Sequence, residues 1–521
     1  MISRNEQLET LKQSNQWDII IIGGGASGLG VAVDAISRGF KTVLFEQVDF
    51  AKGTSSKSTK LIHGGVRYLA NGNLKLVKEA LKERGLLSKN ARHLFNTQEF
   101  IIPNYKWWEG YFYAFGLKLY DYLSHKFSLG NSSLIKKSTV ITDLPNLLQN
   151  HLISGVSYFD GQFDDARLAL NLAQTAIDNG ATVLNYMKVT GLLKKDKNIV
   201  GVKVENTETG EIFNVKSKVV INASGIFTDK VLKMYNPKHK KTVVPSQGVH
   251  LVLEASFLNS EKAIMIPKTS DGRVLFVIPW HGKVIAGTTD TLIKKPILEP
   301  VALDAEIDFI LNTLSRYLIK SPKREDVLSV FCGLRPLAKP KGNEVKTKEV
   351  SRSHKIIVEN NLISIVGGKW TTYRKMAEDA IDEVVEKFNF PSKKSNTKTL
   401  EIHGNVSNNE SLLKNHFYIY GSDLPKLEKF QKQNSDYRRK IHPDYDFTVG
   451  QIVWSIQNEM ARTVEDILAR RVRLLFLDAR AALQVAPEVA MILGRELCKD
   501  DDWVKNQIEE FNELANSYKL N

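Results

Sequence analysis

Residues 18–28 constrain this chain more than any other stretch. Asp18-Ile19-Ile20-Ile21-Ile22 leads without a spacer into Gly23-Gly24-Gly25-Ala26-Ser27-Gly28. Four consecutive β-branched isoleucines favour a strand buried on both faces, as in a parallel sheet. Residues 29–38 carry helical spacing and residues 41–46 read as a second strand, which makes a strand–helix–strand unit. Within it Gly23, Gly25 and Gly28 satisfy G-x-G-x-x-G. The first permits a tight turn, the second lets backbone approach a pyrophosphate, and the third packs helix on strand. The helix start at Ala26 and Ser27 offers free N–H groups and a partial positive charge to phosphate. Glu46 closes the second strand eighteen residues after Gly28, where a carboxylate accepts hydrogen bonds from a ribose hydroxyl. The pattern predicts an adenosine dinucleotide without a 2′-phosphate, with a purely structural glycine turn as the alternative.

Nicotinamide and flavin dinucleotides share that fingerprint, and the residues after it separate them. The loop carrying Thr54, Ser55, Ser56, Ser58, Thr59 and Lys60, followed by Leu61 and His63, supplies enough donors to hold the second phosphate and ribityl chain of a flavin. A loop of this composition is also commonly just solvated. The buried strand 219–225 ends in the small residues Ala223, Ser224 and Gly225, which let backbone come close to the cofactor, and Val189 joins the same set.

At 521 residues the chain exceeds what one hydrophobic core supports, so two or three domains are expected. Hydrophobic residues at 42% and charged residues at 25% exclude collagenous, disordered and polytopic membrane classes. Cys332 and Cys498 form no C-x-x-C pair and no zinc spacing, so neither disulfides nor a metal site is expected. Residues 1–16 lack a signal-peptide core and no run of eighteen apolar residues follows, which predicts a cytoplasmic protein. A net charge of +14 admits anionic metabolites, lipid or nucleic acid as partners. The basic residues are scattered and no RNP, zinc-finger or helix-turn-helix signature occurs, so nucleic acid is not expected.

Further along, residues 73–89 read as a helix. Residues 105–122 contain nine aromatics in eighteen positions, against 9% in the whole chain. A hairpin is expected over 200–213 with its turn near Glu208-Thr209-Gly210, and strands dominate 248–287. A strand at 361–366 precedes Gly367-Gly368-Lys369 and a helix to about residue 388; 391–399 reads as a linker, and Met460, Val464, Ile467, Leu468 and Leu475 form a helical stripe. The predicted fold is an α/β Rossmann-like dinucleotide-binding domain (1–100, 155–235, 330–388), which the resemblance given next implies is an FAD-binding domain, an inserted antiparallel β-rich substrate domain (101–154, 236–329) and a C-terminal α-helical domain (389–521).

Three segments carry a resemblance: residues 54–65 (TSSKSTKLIHGG) with Val66-Arg67-Tyr68-Leu69, then Cys332-Gly333-Leu334-Arg335-Pro336-Leu337, then Gly367-Gly368-Lys369-Trp370-Thr371-Thr372-Tyr373-Arg374. Together they resemble the FAD-dependent glycerol-3-phosphate dehydrogenases of the D-amino-acid-oxidase-like superfamily, over about residues 18–496. The resemblance implies noncovalent FAD, oxidation of sn-glycerol 3-phosphate to dihydroxyacetone phosphate, electron delivery to membrane quinone, and peripheral attachment to the inner face of the cell membrane. A homodimer is allowed by the sequence but not indicated by it.

Such a reaction needs a phosphate clamp, a base and a field that favours reduced flavin. Arginine suits a phosphate dianion because its planar fork makes two parallel charge-assisted bonds, which points to Arg335 and Arg67, helped by Arg352 and Tyr68. Imidazole titrates near neutrality, which makes His63 the first choice of base and His250 the second. Lys369, beside Gly368, Trp370 and a helix beginning near Thr371, combines a cation with a positive helix end and suits the anionic edge of reduced flavin. The cluster Trp107, Trp108, Tyr111, Phe112, Tyr113 and Phe115, with Lys106, Lys118 and Lys126, reads either as lipid-facing or as packing. Arg470, Arg471 and Arg473 read as a second lipid-facing patch or a solvated face. Two alternatives remain: a glycerol-3-phosphate oxidase that passes electrons to oxygen, and a non-catalytic, RNA-associated FAD protein.

Overall fold

The computed structural model describes residues 3–66, 72–339, 353–407 and 415–520. The isoleucine run forms the strand Trp17–Ile22 inside an eight-stranded sheet. Thr42–Phe45 and Ile212–Asn222 flank it in parallel; Thr182–Leu184 and Leu362–Val366 extend the parallel set outward. Because strand side chains alternate, Ile19 and Ile21 pack with the helices Ala26–Ser37, Asp165–Asp178 and Tyr373–Lys387. Ile20 and Ile22 pack on the other face against Val202, Val204 and Val215 of an antiparallel hairpin layer. Both faces are covered, which is why no polar residue interrupts the run. Each isoleucine buried this way contributes about 2 kcal/mol. The fingerprint makes the turn into Ala26–Ser37. Gly23 sits at φ +112°, and a Cβ on Gly28 would stand 1.9 Å from the Gly23 carbonyl oxygen.

A second sheet of ten strands is mainly antiparallel and is built on Val243–Glu254, which pairs with Lys283–Gly287 on one side and Val327–Ala338 on the other. Phe95–Asn104 and Ser154–Phe163 complete it. Residues 155–163 and 330–338 therefore belong to the second sheet's ladder, although the expected boundaries grouped them with the dinucleotide unit. Local periodicity marks a strand but carries no information about its partner, which long-range pairing decides.

The C-terminal residues form helices, chiefly Val449–Asn458, Ala479–Glu496 and Asp501–Asn516, packed on Val252, Trp280, Ile285 and Phe331 of the second sheet. The arginines expected on a lipid-facing or solvated surface are buried instead. Arg470 and Arg471 both donate to Asp49, at 2.6 and 2.8 Å, and Arg473 donates to Asp165 at 3.0 Å. Carboxylates some 300 to 400 positions away draw these guanidinium groups inward, and removing one member of such a pair strands a charge in the interior at a cost of about 3–5 kcal/mol.

Candidate functional site

A cavity of about 520 Å³ opens where the carboxyl ends of the parallel strands meet the second sheet. That is where ligands bind in open α/β sheets. Gly23, Gly25, Ala26, Ser27 and Glu46 line one end, and Ala223, Ser224, Gly225 and Val189 line its flank. Glu46 accepts from the N–H of Gly24 at 2.6 Å and of Val48 at 3.1 Å. Burial lifts its carboxyl above the ordinary range, and the two N–H bonds oppose that shift. Two accepted bonds leave lone-pair capacity on the carboxylate for ribose hydroxyls. Ser55 Oγ accepts from Ala26 N–H at 2.9 Å, and Trp370 Nε1 donates to the Ser55 carbonyl at 2.8 Å. The helix start, the hydroxyl loop and the Gly368-Lys369-Trp370 turn are thus tied into one wall.

At the far end stand His63, His250, Arg335, Gly368, Lys369 and Thr371. Arg335 is aimed by its surroundings: Nη2 donates to Thr288 Oγ1 at 3.0 Å and Nη1 to the Thr289 carbonyl at 3.1 Å. Gly248 vacates the space it needs, since a Cβ there would lie 2.3 Å from Arg335 Nη2. His250 is buried, stacks on Phe331 at 4.9 Å, and shares a 2.9 Å hydrogen bond between Nε2 and Thr59 Oγ1. Burial, reinforced by the Lys60 and Arg335 cations, holds its imidazole well below the usual histidine range, so the neutral form dominates. A second cavity of about 150 Å³ shares Thr59, Leu61, His63, Phe276 and Arg335 with the first and adds Arg273 and Asp290.

The structure brings most of the expected residues to one wall and turns three elsewhere. Lys60 points away: its ammonium donates to Asp165 and to the Ser56 carbonyl, each at 2.7 Å, beneath the rings of Trp280, Phe331 and Phe476. Burial lowers it to about 7, against the attraction of Asp165. Ser56 is buried behind the wall, its carbonyl committed to Lys60 and Arg473. Lys60 sits on left-handed backbone (φ 62°) and its ammonium is drawn inward by Asp165. Gly28 holds helix to strand and does not face the cavity. Thr54 and Ser58 stay on the wall, the first donating to the Leu334 carbonyl and the second to Asp165. Arg67, Tyr68 and Arg352 lie outside the described residues. Thr59, one of the loop hydroxyls read from sequence, lines the wall; sequence reasoning missed Arg273 and Gly248, for which no local signal exists.

These features define a class, the FAD-dependent oxidoreductases, and the family model described as FAD dependent oxidoreductase matches residues 18–372. The model for the C-terminal domain of alpha-glycerophosphate oxidase matches residues 361–503. The chain is 40% identical to the mitochondrial glycerol-3-phosphate dehydrogenase of Schizosaccharomyces pombe, over 96% of this chain and 87% of that one. It is 38% identical to the human mitochondrial protein of the same name, over 97% and 74%. The crystal structure of glycerol-3-phosphate dehydrogenase from Bacillus halodurans complexed with FAD superposes with a TM-score of 0.81 at 27% identity, covering 99% of this chain and 98% of that one. The chain belongs to the FAD-dependent glycerol-3-phosphate dehydrogenase family.

Proposed function

We propose that the protein oxidises sn-glycerol 3-phosphate to dihydroxyacetone phosphate in glycerol catabolism, with noncovalently held FAD as immediate acceptor. One observation carries this reading: a single cavity joins a dinucleotide cradle, walled by Gly23, Gly25 and Glu46, to Arg335, Lys369 and two imidazoles. The residues present fit FAD. The glycine turn leaves backbone exposed for a pyrophosphate, Glu46 keeps acceptor capacity for a ribose, and Gly225 at φ 58° leaves open space where a Cβ would stand. When bound, FAD supplies a two-electron acceptor for the hydride of the substrate's C2.

The chain's own residues then divide the remaining work. Arg335 pairs with the phosphate dianion, joined by Arg67, Tyr68 and Arg352. Lys369, with the helix start behind it, would supply positive charge favouring reduced flavin when FAD is held in the cavity. The hydroxyl proton goes to His250. Sequence ranked His63 first and both rings line the cavity, but the His250 ring is held in place by its stack on Phe331 and its hydrogen bond with Thr59. Glycerol 3-phosphate should drive reduction of a quinone analogue by the FAD-loaded protein, and no substrate-dependent reduction of any acceptor would overturn the reading. Hydrogen peroxide in place of reduced quinone would select the oxidase alternative.

Electron delivery to membrane quinone requires a bilayer surface, and among the described residues no helix is long and apolar enough to cross one. Helix Glu109–Ser124 buries Leu117 and Tyr120 inward yet exposes Tyr111, Phe112, Phe115, Leu119 and Tyr122 along its outer face, with Trp107 and Trp108 at its start. Phe115 and Tyr122 are each 79% exposed. So continuous an apolar stripe marks an interaction surface. Lys106, Lys118 and Lys126 are exposed beside it, so it suits peripheral docking on anionic lipid at the inner face of the cell membrane. Flotation with anionic vesicles should carry the protein at low salt; protein left at the bottom removes this part of the reading.

A further inference from the structure

The base assigned above does not itself form the threshold between the two cavities. His250 is 2% exposed, and its Nδ1 has no hydrogen-bond partner among the described residues. Its ring cannot swing forward: Phe331 stacks on one side, and Gly287 lies so close that a Cβ there would meet His250 Cδ2 at 2.5 Å. His250 lines the first cavity but not the second, and its link toward the second is the 2.9 Å hydrogen bond between Nε2 and the Thr59 hydroxyl, in which Nε2 accepts in the tautomer a base requires. Thr59 is half-buried and lines both cavities, as do His63 and Arg335. A phosphate ester held by Arg335 at that threshold would have its secondary hydroxyl within reach of Thr59, with the imidazole one hydrogen bond further back.

We propose that Thr59 relays the substrate's C2 hydroxyl proton to His250. The substrate O–H gives its proton to Thr59 Oγ as the threonine's own proton passes to Nε2. The C2–H bond breaks, its electron pair and hydrogen leave as hydride to the flavin, and C2–O becomes a carbonyl. One proton ends on His250, two electrons end on FAD, and Thr59 is restored. Neighbours hold Thr59 in place: Ser58, just before it, is tied through both N–H and Oγ to Asp165, which is itself fixed by Lys60 and Arg473.

This inference rests on the proposed oxidation with His250 as base, and the test separates the two. In FAD-loaded protein, Thr59→Val removes the hydroxyl at nearly constant volume and Thr59→Ser keeps it. Anaerobic flavin reduction by glycerol 3-phosphate should slow about 100-fold in T59V and less than about fivefold in T59S, the range expected for a lost acid–base step. The second readout is ¹⁵N NMR of labelled histidines without substrate, with the His250 signal identified by its loss in His250→Asn. Nε2 should shift in T59V and hold in T59S. T59V reduced at the wild-type rate overturns the relay. If T59V sheds its flavin, T59S decides: a slow T59S with an unmoved Nε2 signal also overturns it. If H250N is itself reduced at the wild-type rate, the base assignment falls and the relay with it.

Discussion

From Gly23 to Glu46 the cavity wall is mostly main chain, made by residues close in sequence, whereas its other end is made of side chains delivered from four distant segments. The glycine turn works by what it lacks, and its geometry follows from carbon and oxygen contacts within a few residues. The Arg335 and His250 end works by charge and hydrogen bonding, and each group there is aimed by others far away: Gly248 and Thr288 for Arg335, Thr59 and Phe331 for His250. A backbone site is robust to side-chain change but intolerant of added bulk. A side-chain site is sensitive to the identity of Arg335 and His250 themselves, although glycines such as Gly248 and Gly287 must still leave those side chains room.

The sharpest break in that contrast comes at Gly28. Ala at this position would place a methyl 1.9 Å from the Gly23 carbonyl oxygen, which cannot move without the whole turn. Gly28→Ala should abolish FAD retention and lower stability by about 3 kcal/mol, read from flavin content and chemical unfolding. Normal flavin content in this variant would mean that the turn is not the cradle. Arg335→Lys should do the opposite. It keeps the charge but loses the planar fork, so kcat/KM for glycerol 3-phosphate should fall about 100-fold while flavin content stays normal. Cofactor loss here would dissolve the distinction between the two ends.

The smallest effect lies at the seam between the dinucleotide unit and the C-terminal segment. His403 bonds Asp178 and Asp423, each at 2.6 Å; burial opposes its charge, but the two carboxylates prevail and raise it to about 9. With the folded value above the unfolded one, near 6.5, the pairing stabilises fully below about pH 6.5 and is lost as pH rises through about 9. Half-exposed Asp178 screens the pair, which leaves about 1–2 kcal/mol. His403→Gln should therefore be less stable than wild type by that amount at pH 6 and nearly equal to it at pH 10. A difference independent of pH would assign the loss to packing.

The dinucleotide end was the legible one. The isoleucine run, the three fingerprint glycines and Glu46 interact within one strand–helix–strand unit, so spacing alone located them. Arg335 was legible only through its surrounding segment, since nothing near it announces Thr288 or Gly248. Arg470, Arg471 and Arg473 were misplaced because their partners, Asp49 and Asp165, stand hundreds of residues away, and a sequence carries no local sign of such pairing. Lys60 was misplaced for the same reason, since the carboxylate that draws its ammonium inward, Asp165, stands 105 positions away.

Whether the two ends serve one reaction is tested most directly by anaerobic titration of the FAD-loaded protein with glycerol 3-phosphate. The account predicts stoichiometric bleaching of the oxidised flavin band with formation of dihydroxyacetone phosphate, and no bleaching by glycerol, which lacks the phosphate that Arg335 would hold. A flavin that stays oxidised under excess glycerol 3-phosphate, in folded protein with full FAD content, would contradict it.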